Sequence, residues 1–312
     1  MNTSLKLLTQ ALLLVAIPVL LSAAPMASAS IVLPLQFSKA SQPANLINAH
    51  QIYAGDDSAL YFRRPISHGS VANVIVVDLN SRHWHLRTLV NSLPMNVAAS
   101  ATLYGASMAV NGGFFDVRTG QTVSYVVDKG KVVACPQDTA KKFSPQILNR
   151  SELRLSVDDN GNSQLSVARH NDKVSKGGHI LESMQAGPEL LPTYQPEAEA
   201  FIRKTRKGGL FDAISTTSPE ARTAVGITAN GKLIVVCVET PGRGPDGHGV
   251  TLLQLAHLLK GLGAVQAVNF DGGTSTSMYV RLSSAKGRTR GKVVCGASSM
   301  RRVKSVLLLL HD

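Results

Sequence analysis

The chain has 312 residues, 44% of them hydrophobic, 17% charged and 5% aromatic, with 32 Lys and Arg against 20 Asp and Glu. That balance can bury a core and excludes a disordered polyelectrolyte, while three cysteines in a chain of this length exclude a small disulfide-stapled scaffold. The formal charge of +12 either draws anionic partners such as phosphorylated glycans, wall polymers or lipid head groups, or only solubilises the surface.

The N-terminus reads as an export signal. Lys6, the 11-residue apolar run from Ala11 to Leu21 and the small-x-small triplet Ala27-Ser28-Ala29 form a signal peptide over residues 1–29, with the mature chain starting near Ser30. An uncleaved anchor is the alternative, but no later segment approaches the ~20 apolar residues of a spanning helix. The mature protein is therefore expected to be periplasmic or secreted, with no transmembrane segment and no nucleic-acid partner. Residues 30–50, with Pro34 and Pro43 and no periodicity, read as a linker or N-terminal arm, and residues 51–312 as a single domain. Export permits one disulfide among Cys135, Cys237 and Cys295. Cys237 lies in the apolar run 233–238 and reads as a buried hydrophobe, which favours a Cys135–Cys295 bridge. No CxxC, HExxH or Cys/His metal spacing occurs, so no cofactor or structural zinc is expected.

Beyond the arm, short β-rich runs follow one another: 71–79, 84–90, 108–110, 124–127, 131–134, 153–157 and 164–167, the last two joined by the turn residues Asp158-Asp159-Asn160-Gly161. Residues 195–220 carry Arg203, Lys204, Arg206 and Lys207 among glycines and prolines and read as a surface excursion, a solvated loop or a lid. Strands 222–228 and 233–239 flank the Asn230-Gly231 turn. Thr251 caps a helix reaching about Leu262, with apolar positions 252, 255, 256 and 259 on one face, and strand 265–270 follows. The expected class is α+β: a mixed β-sheet core with a β-α-β crossover in the C-terminal half. The crossover makes strands 233–239 and 265–270 parallel and sets Glu239 beside Asp271 at their carboxyl ends, where open sheets form ligand crevices.

Two glycine-rich turns carry the chemistry. Asn111-Gly112-Gly113-Phe114-Phe115-Asp116 follows a short strand and offers an amide, close backbone approach and an apolar wall. Asp271-Gly272-Gly273-Thr274-Ser275-Thr276-Ser277 places a carboxylate and hydroxyls after the strand ending at Phe270. Each turn alone is equally compatible with a plain hairpin.

The order of "AVNGGFFD", "VVDKGKVV", "QAGPELL", "ARTAVGI" and "TLLQLAHLLKGLGAVQAVNFDGGTSTS" resembles the phosphodiester glycosidase family from about residue 70 to the final apolar strand at 303–310. Thr274 stands where the family usually has a third glycine, and a glycine common after the first motif is missing near Val123 and Ser124. The resemblance implies that fold and the hydrolysis of a sugar-1-phosphodiester at the anomeric carbon, in glycan, exopolysaccharide or cell-wall polymer metabolism. It matches Asn111, Gly112 and Gly113 to the first motif, Asp271, Gly272, Gly273 and Ser275 to the second, and Arg222 to the arginine before the central strand.

Glycosidic cleavage ordinarily needs two carboxyl groups, but a phosphate leaves readily, so one carboxylate at the sugar and fixed positive charge at the phosphate suffice. Asp271, Glu239 and Asn111 are the expected catalytic group, with Asp271 as nucleophile or as base toward water. Gly112, Gly113, Phe114, Arg222, Gly272, Gly273, Thr274 and Ser275 are the expected substrate contacts. Arg222 reads equally as a buried pairing residue, Asp116 as the cap of its own turn, His248 as a general acid or a solvated loop residue, and Trp84 as packing. Three alternatives stand beside this reading: a non-catalytic binder of glycans or anionic polymers, a serine hydrolase using Ser275 or Ser277 without a G-x-S-x-G elbow, and a divalent cation shared by Asp271 and Glu239.

Overall fold

The computed structural model describes residues 47–51, 56–66, 69–136, 143–174, 177–239, 249–283, 289–296 and 301–312. The signal peptide, the arm as far as residue 46 and His248 lie outside them. Three sheets make up most of the described chain. The largest has seven strands in the order β1 (Ile47–Gln51), β2 (Ala59–Pro65), β3 (Val71–Val77), β15 (Leu233–Val238), β14 (Arg222–Thr228), β16 (Ala264–Asn269) and β11 (Glu189–Leu191). The strand at Ile47–Gln51 overlaps the end of the segment read as an arm and pairs with β2. A five-stranded sheet runs β7 (Lys131–Ala134), β6 (Val126–Asp128), β10 (His179–Gln185), β8 (Ser151–Val157) and β9 (Ser163–Arg169). A second five-stranded sheet runs β18 (Thr289–Cys295), β17 (Met278–Ser283), β5 (Met108–Asn111), β19 (Val303–His311) and β4 (Trp84–Met95). β12 (Ile202–Lys204) and β13 (Leu210–Asp212) form a separate hairpin. Three α-helices are described: α1 (Val97–Leu103), α2 (Pro145–Leu148) and α3 (Leu252–Gly261).

The period-two geometry of a strand sorts the apolar residues into layers. Along β15, Leu233, Val235 and Cys237 enter the core shared by all three sheets, while Ile234, Val236 and Val238 pack under α3. Along β19, Leu307 and Leu309 enter the shared core, while Val306 and Leu308 pack with Val97 and Ala101 of α1. Helix α3 forms on the expected register. Leu252, Leu255, Ala256 and Leu259 are buried, and Thr251 and Gln254 make a reciprocal capping box that satisfies the first free N–H groups.

The described chain is mostly β-sheet, and every strand pairing is antiparallel, where a mixed sheet was expected. β15 and β16 are not neighbours: β14 lies between them and runs against each. They consequently point the same way but stand two strand spacings, about 10 Å, apart. The start of β14, at Arg222, separates the end that carries Glu239 from the end that carries Asp271. The Cys135–Cys295 bridge does not form. None of the three cysteines is in a disulfide, and buried Cys295 faces Cys237.

Leu255 is wholly buried and Leu253 half exposed on the same helix. Leu255→Ala is expected to cost about 2–5 kcal/mol in chemical denaturation, and Leu253→Ala less than about 0.5 kcal/mol.

Candidate active site

Asn111 ends β5, Asp271 follows β16, and the two turns they begin form one structure. The Asp271 N–H donates to the Gly112 carbonyl at 3.1 Å, and Asn111 Nδ2 donates to the Asp271 carbonyl at 2.6 Å. Asn111 Oδ1 accepts from the Thr223 hydroxyl at 2.8 Å and from the Ser277 N–H at 3.1 Å. This amide has no exposed surface. Its geometry fits a positioning residue for Asp271, linking β5, β14 and both ends of the second turn.

The glycines of the first turn answer to packing. A Cβ on Gly113 would lie 2.3 Å from the Gln185 carbonyl oxygen, and one on Gly112 would lie 2.6 Å from Ser305 Oγ, so only glycine lets the turn press between β10 and β19. The four glycine N–H groups, expected to meet ligand oxygens, are each engaged within the protein. Those of Gly112 and Gly113 donate to the Ser305 carbonyl and Met184 Sδ, and those of Gly272 and Gly273 to Asp271 Oδ1 and the Ala221 carbonyl.

A cleft of about 220 Å³ opens beside the second turn, bounded by Phe114, Ile214, Ser215, Glu220, Arg222, Asn269 and Asp271-Gly272-Gly273. Burial pushes the Asp271 carboxyl up to about 6, against the opposing pull of hydrogen bonds from Ser275 and the Gly272 N–H and of the Arg301 charge. Asn269 precedes Asp271 by two residues and so shares its face. Its Nδ2 donates to the Gly187 carbonyl at 2.9 Å, and its buried Oδ1 has no partner among the described residues, which leaves an acceptor for a ligand hydroxyl or a water.

Glu239 does not bound this cleft. It accepts from the Gly296 N–H at 2.6 Å and sits beside Cys295, whose thiol is pushed well up by burial and by neighbouring Cys237 and Glu239. The carboxyl group that accompanies Asp271 is Glu220. Its sequence signal was its place two residues before the strand carrying Arg222, but recognising it required knowing that this strand runs against β16. Glu239 and Asp271, the two acids considered for a shared cation, follow strands on opposite sides of β14. Among the described residues, no group of three or more His, Cys, Asp or Glu is arranged to hold a metal ion.

Arg222 bounds the cleft, yet its donors reach four carbonyls: Nε to Val250, Nη1 to Ile214, and Nη2 to Ser215 and Ser218. It pins the segment that walls the cleft, and burial lowers its pKa. The cation that acts on Asp271 is Arg301, which donates from Nη1 to Thr274 Oγ1 at 2.9 Å and is absent from the sequence-based set. Its signal was the basic pair Arg301-Arg302 before the last strand. Thr274 is exposed and Ser275 buried. Phe114 walls the cleft and packs on Phe201 at 5.7 Å. Asp116 caps its own turn through the Arg118 and Thr119 N–H groups, and buried Trp84 donates to Asp56 and Ser58.

A family model described as phosphodiester glycosidase matches residues 104–310. Among solved structures, the chain is similar to the zebrafish N-acetylglucosamine-1-phosphodiester alpha-N-acetylglucosaminidase catalytic domain, auto-inhibited by its pro-peptide. The TM-score is 0.56 at 19% identity, over 86% of this chain and 89% of that one. A hypothetical protein from Synechocystis gives a TM-score of 0.57 at 16% identity over 87% of this chain, which spans only 64% of that protein. A Burkholderia pseudomallei protein gives 0.57 at 18%, over 79% of this chain and 75% of its own. At such identities the likeness is one of fold. None of the curated proteins matches the chain.

Asn111→Ala leaves the Thr223 hydroxyl, the Ser277 N–H and the Asp271 carbonyl without their side-chain partner. Denaturant unfolding should show a loss of at least about 2 kcal/mol.

Proposed function

This chain belongs to the phosphodiester glycosidase family, and from that premise we propose that it is an exported hydrolase of sugar-1-phosphodiesters, acting on glycans or anionic polymers outside the cytoplasm. The observation that carries the reading is a half-buried carboxyl, Asp271, that bounds the cleft, with its pKa pushed up to about 6 and Arg301 as the neighbouring cation. A group in that range is a competent base near neutral pH.

In this mechanism the sugar occupies the cleft with its anomeric carbon toward Asp271. The bond between that carbon and the phosphate oxygen breaks, the electron pair leaves with the phosphate, and Arg301 stabilises the charge that develops there. Asp271 either takes the proton of a water whose oxygen bonds to the anomeric carbon, or itself bonds to that carbon as a glycosyl ester that water then hydrolyses. Asn269 Oδ1 accepts from a sugar hydroxyl, Phe114 supplies an apolar wall, and Glu220 is the second carboxyl group. Arg222 acts indirectly, by fixing the wall at Ile214 and Ser215.

A panel of sugar-1-phosphodiesters, with the phosphate-bearing product identified, tests the reaction. Asp271→Asn should reduce kcat by at least about 100-fold, and persistence of activity in that variant removes Asp271 from the chemistry. Since the ionised form is the active one, wild-type kcat/KM should fall tenfold per pH unit below about 6 and level off above it. The stability effect has the opposite sign to that of an ordinary paired acid. With the folded pKa raised from 3.8 to about 6, the unfolded chain ionises first, and native stability drops as pH rises through that window. Asp271→Asn should therefore unfold at higher denaturant than wild type above pH 6, by up to about 3 kcal/mol, and show no such gain at pH 4.

Arg301→Ala should lower kcat/KM on the phosphodiester about 100-fold with little change in melting temperature. Arg222→Ala should instead lower the melting temperature, because its carbonyl partners lose their donors. Equal melting curves for the two variants would sink this division of roles.

A further inference from the structure

The hairpin of β12 and β13 closes through a turn in which the Thr205 N–H donates to the Gly209 carbonyl at 2.8 Å and the Gly208 N–H to the Thr205 carbonyl at 3.0 Å. Four of the five side chains from 203 to 207 are exposed cations: Arg203, Lys204, Arg206 and Lys207. The hairpin's own acid, Asp212, does not compensate them. Its carboxylate is engaged by the Ile214 N–H and by the N–H and hydroxyl of Thr216. Among the described residues no ion pair reaches any of the four.

Both ends of the hairpin join the residues around the Asp271 cleft. Phe201 packs on Phe114, the Ala213 N–H donates to the Phe201 carbonyl at 2.8 Å, and the next two residues, Ile214 and Ser215, bound the cleft. The hairpin that carries the strip therefore rises from the cleft wall. Four cations within five residues suit a run of negative charges better than a single phosphate. The apolar content is too small for a membrane anchor. The hairpin exposes two large apolar side chains, Leu210 at 69% and Phe211 at 42%, and the Arg203 guanidinium lies 4.5 Å over the Phe211 ring.

We propose that the hairpin 202–212 is a binding subsite for the leaving group, recognising an extended polyanionic chain of phosphodiester-linked units that passes from the cleft along Ile214 and Ser215. The proposal deepens the glycosidase reading and rests on it for the identity of the leaving group. Binding is measured separately from turnover. The Asp271→Asn protein is titrated with linear inorganic polyphosphate, alone and with Lys204→Gln, Arg206→Gln and Lys207→Gln combined. The triple change should weaken binding about tenfold and flatten its salt dependence.

The active protein is then assayed on two sugar-1-phosphodiesters, one ending in a small neutral alcohol and one continuing into an oligophosphodiester. The triple variant should raise KM about tenfold on the second and leave the first unchanged. Equal loss on both substrates, or loss on neither, overturns the proposal. If neither substrate is cleaved by the wild type, the glycosidase reading fails while the polyphosphate titration still decides the hairpin. Binding to phosphatidylglycerol vesicles that Leu210→Asp abolishes, with no binding of polyphosphate, assigns the surface to a membrane and also overturns it.

Discussion

The Asn111 amide has no solvent contact and little freedom to turn, because its Oδ1 receives the Thr223 hydroxyl and the Ser277 N–H while its Nδ2 reaches the Asp271 carbonyl. β5 and β16 belong to different sheets, and the sheets share an apolar core that is itself indifferent to small sliding. Directional hydrogen bonds between the sheets are not indifferent. A shift of either sheet would leave buried donors and acceptors unpaired, at about 1–3 kcal/mol each. The position of Asp271 is thus set by its backbone, through Asn111 and the Gly112 carbonyl, while its carboxylate accepts from the Gly272 N–H and the Ser275 side chain.

That carboxylate lies where ionisation is resisted. Burial raises its pKa, and the groups that favour the charge, Ser275, the Gly272 N–H and Arg301, offset the burial only in part. Arg222 shows the complementary solution for a buried cation. Four carbonyls replace its hydration, with no ion pair among the described residues, and in doing so they fix the segment from Ile214 to Ser218 against the sheet. The cleft is therefore walled by a loop whose order depends on a charge beneath it. The same loop continues into the basic hairpin, which connects recognition outside the cleft to the geometry within it.

The glycines illustrate how a correct location can carry a mistaken local reason. Paired glycines after a strand suggest N–H groups bared to an anion. In this molecule the missing Cβ atoms let one turn sit against Gln185 and Ser305, and the N–H groups are engaged by the protein. Close backbone approach is common to both explanations, and sequence does not reveal whether the approaching partner is a ligand or another strand.

Local patterns determined a good deal. The Asn230-Gly231 turn between two apolar runs marked β14 and β15, the N-cap and apolar stripe marked α3, and two polar glycine turns marked the place where the cleft lies. These follow from period and turn chemistry, which act between residues close in the chain. The tertiary structure alone decided which strand lies between β15 and β16. That placement put Glu239 with Cys295 and Gly296, brought Glu220 and Arg301 toward Asp271, and turned Arg222 into a brace for the wall. Strand order depends on contacts between segments far apart in sequence, and a carboxylate or guanidinium reads the same in the chain whether it meets a carbonyl, a thiol or the open cleft.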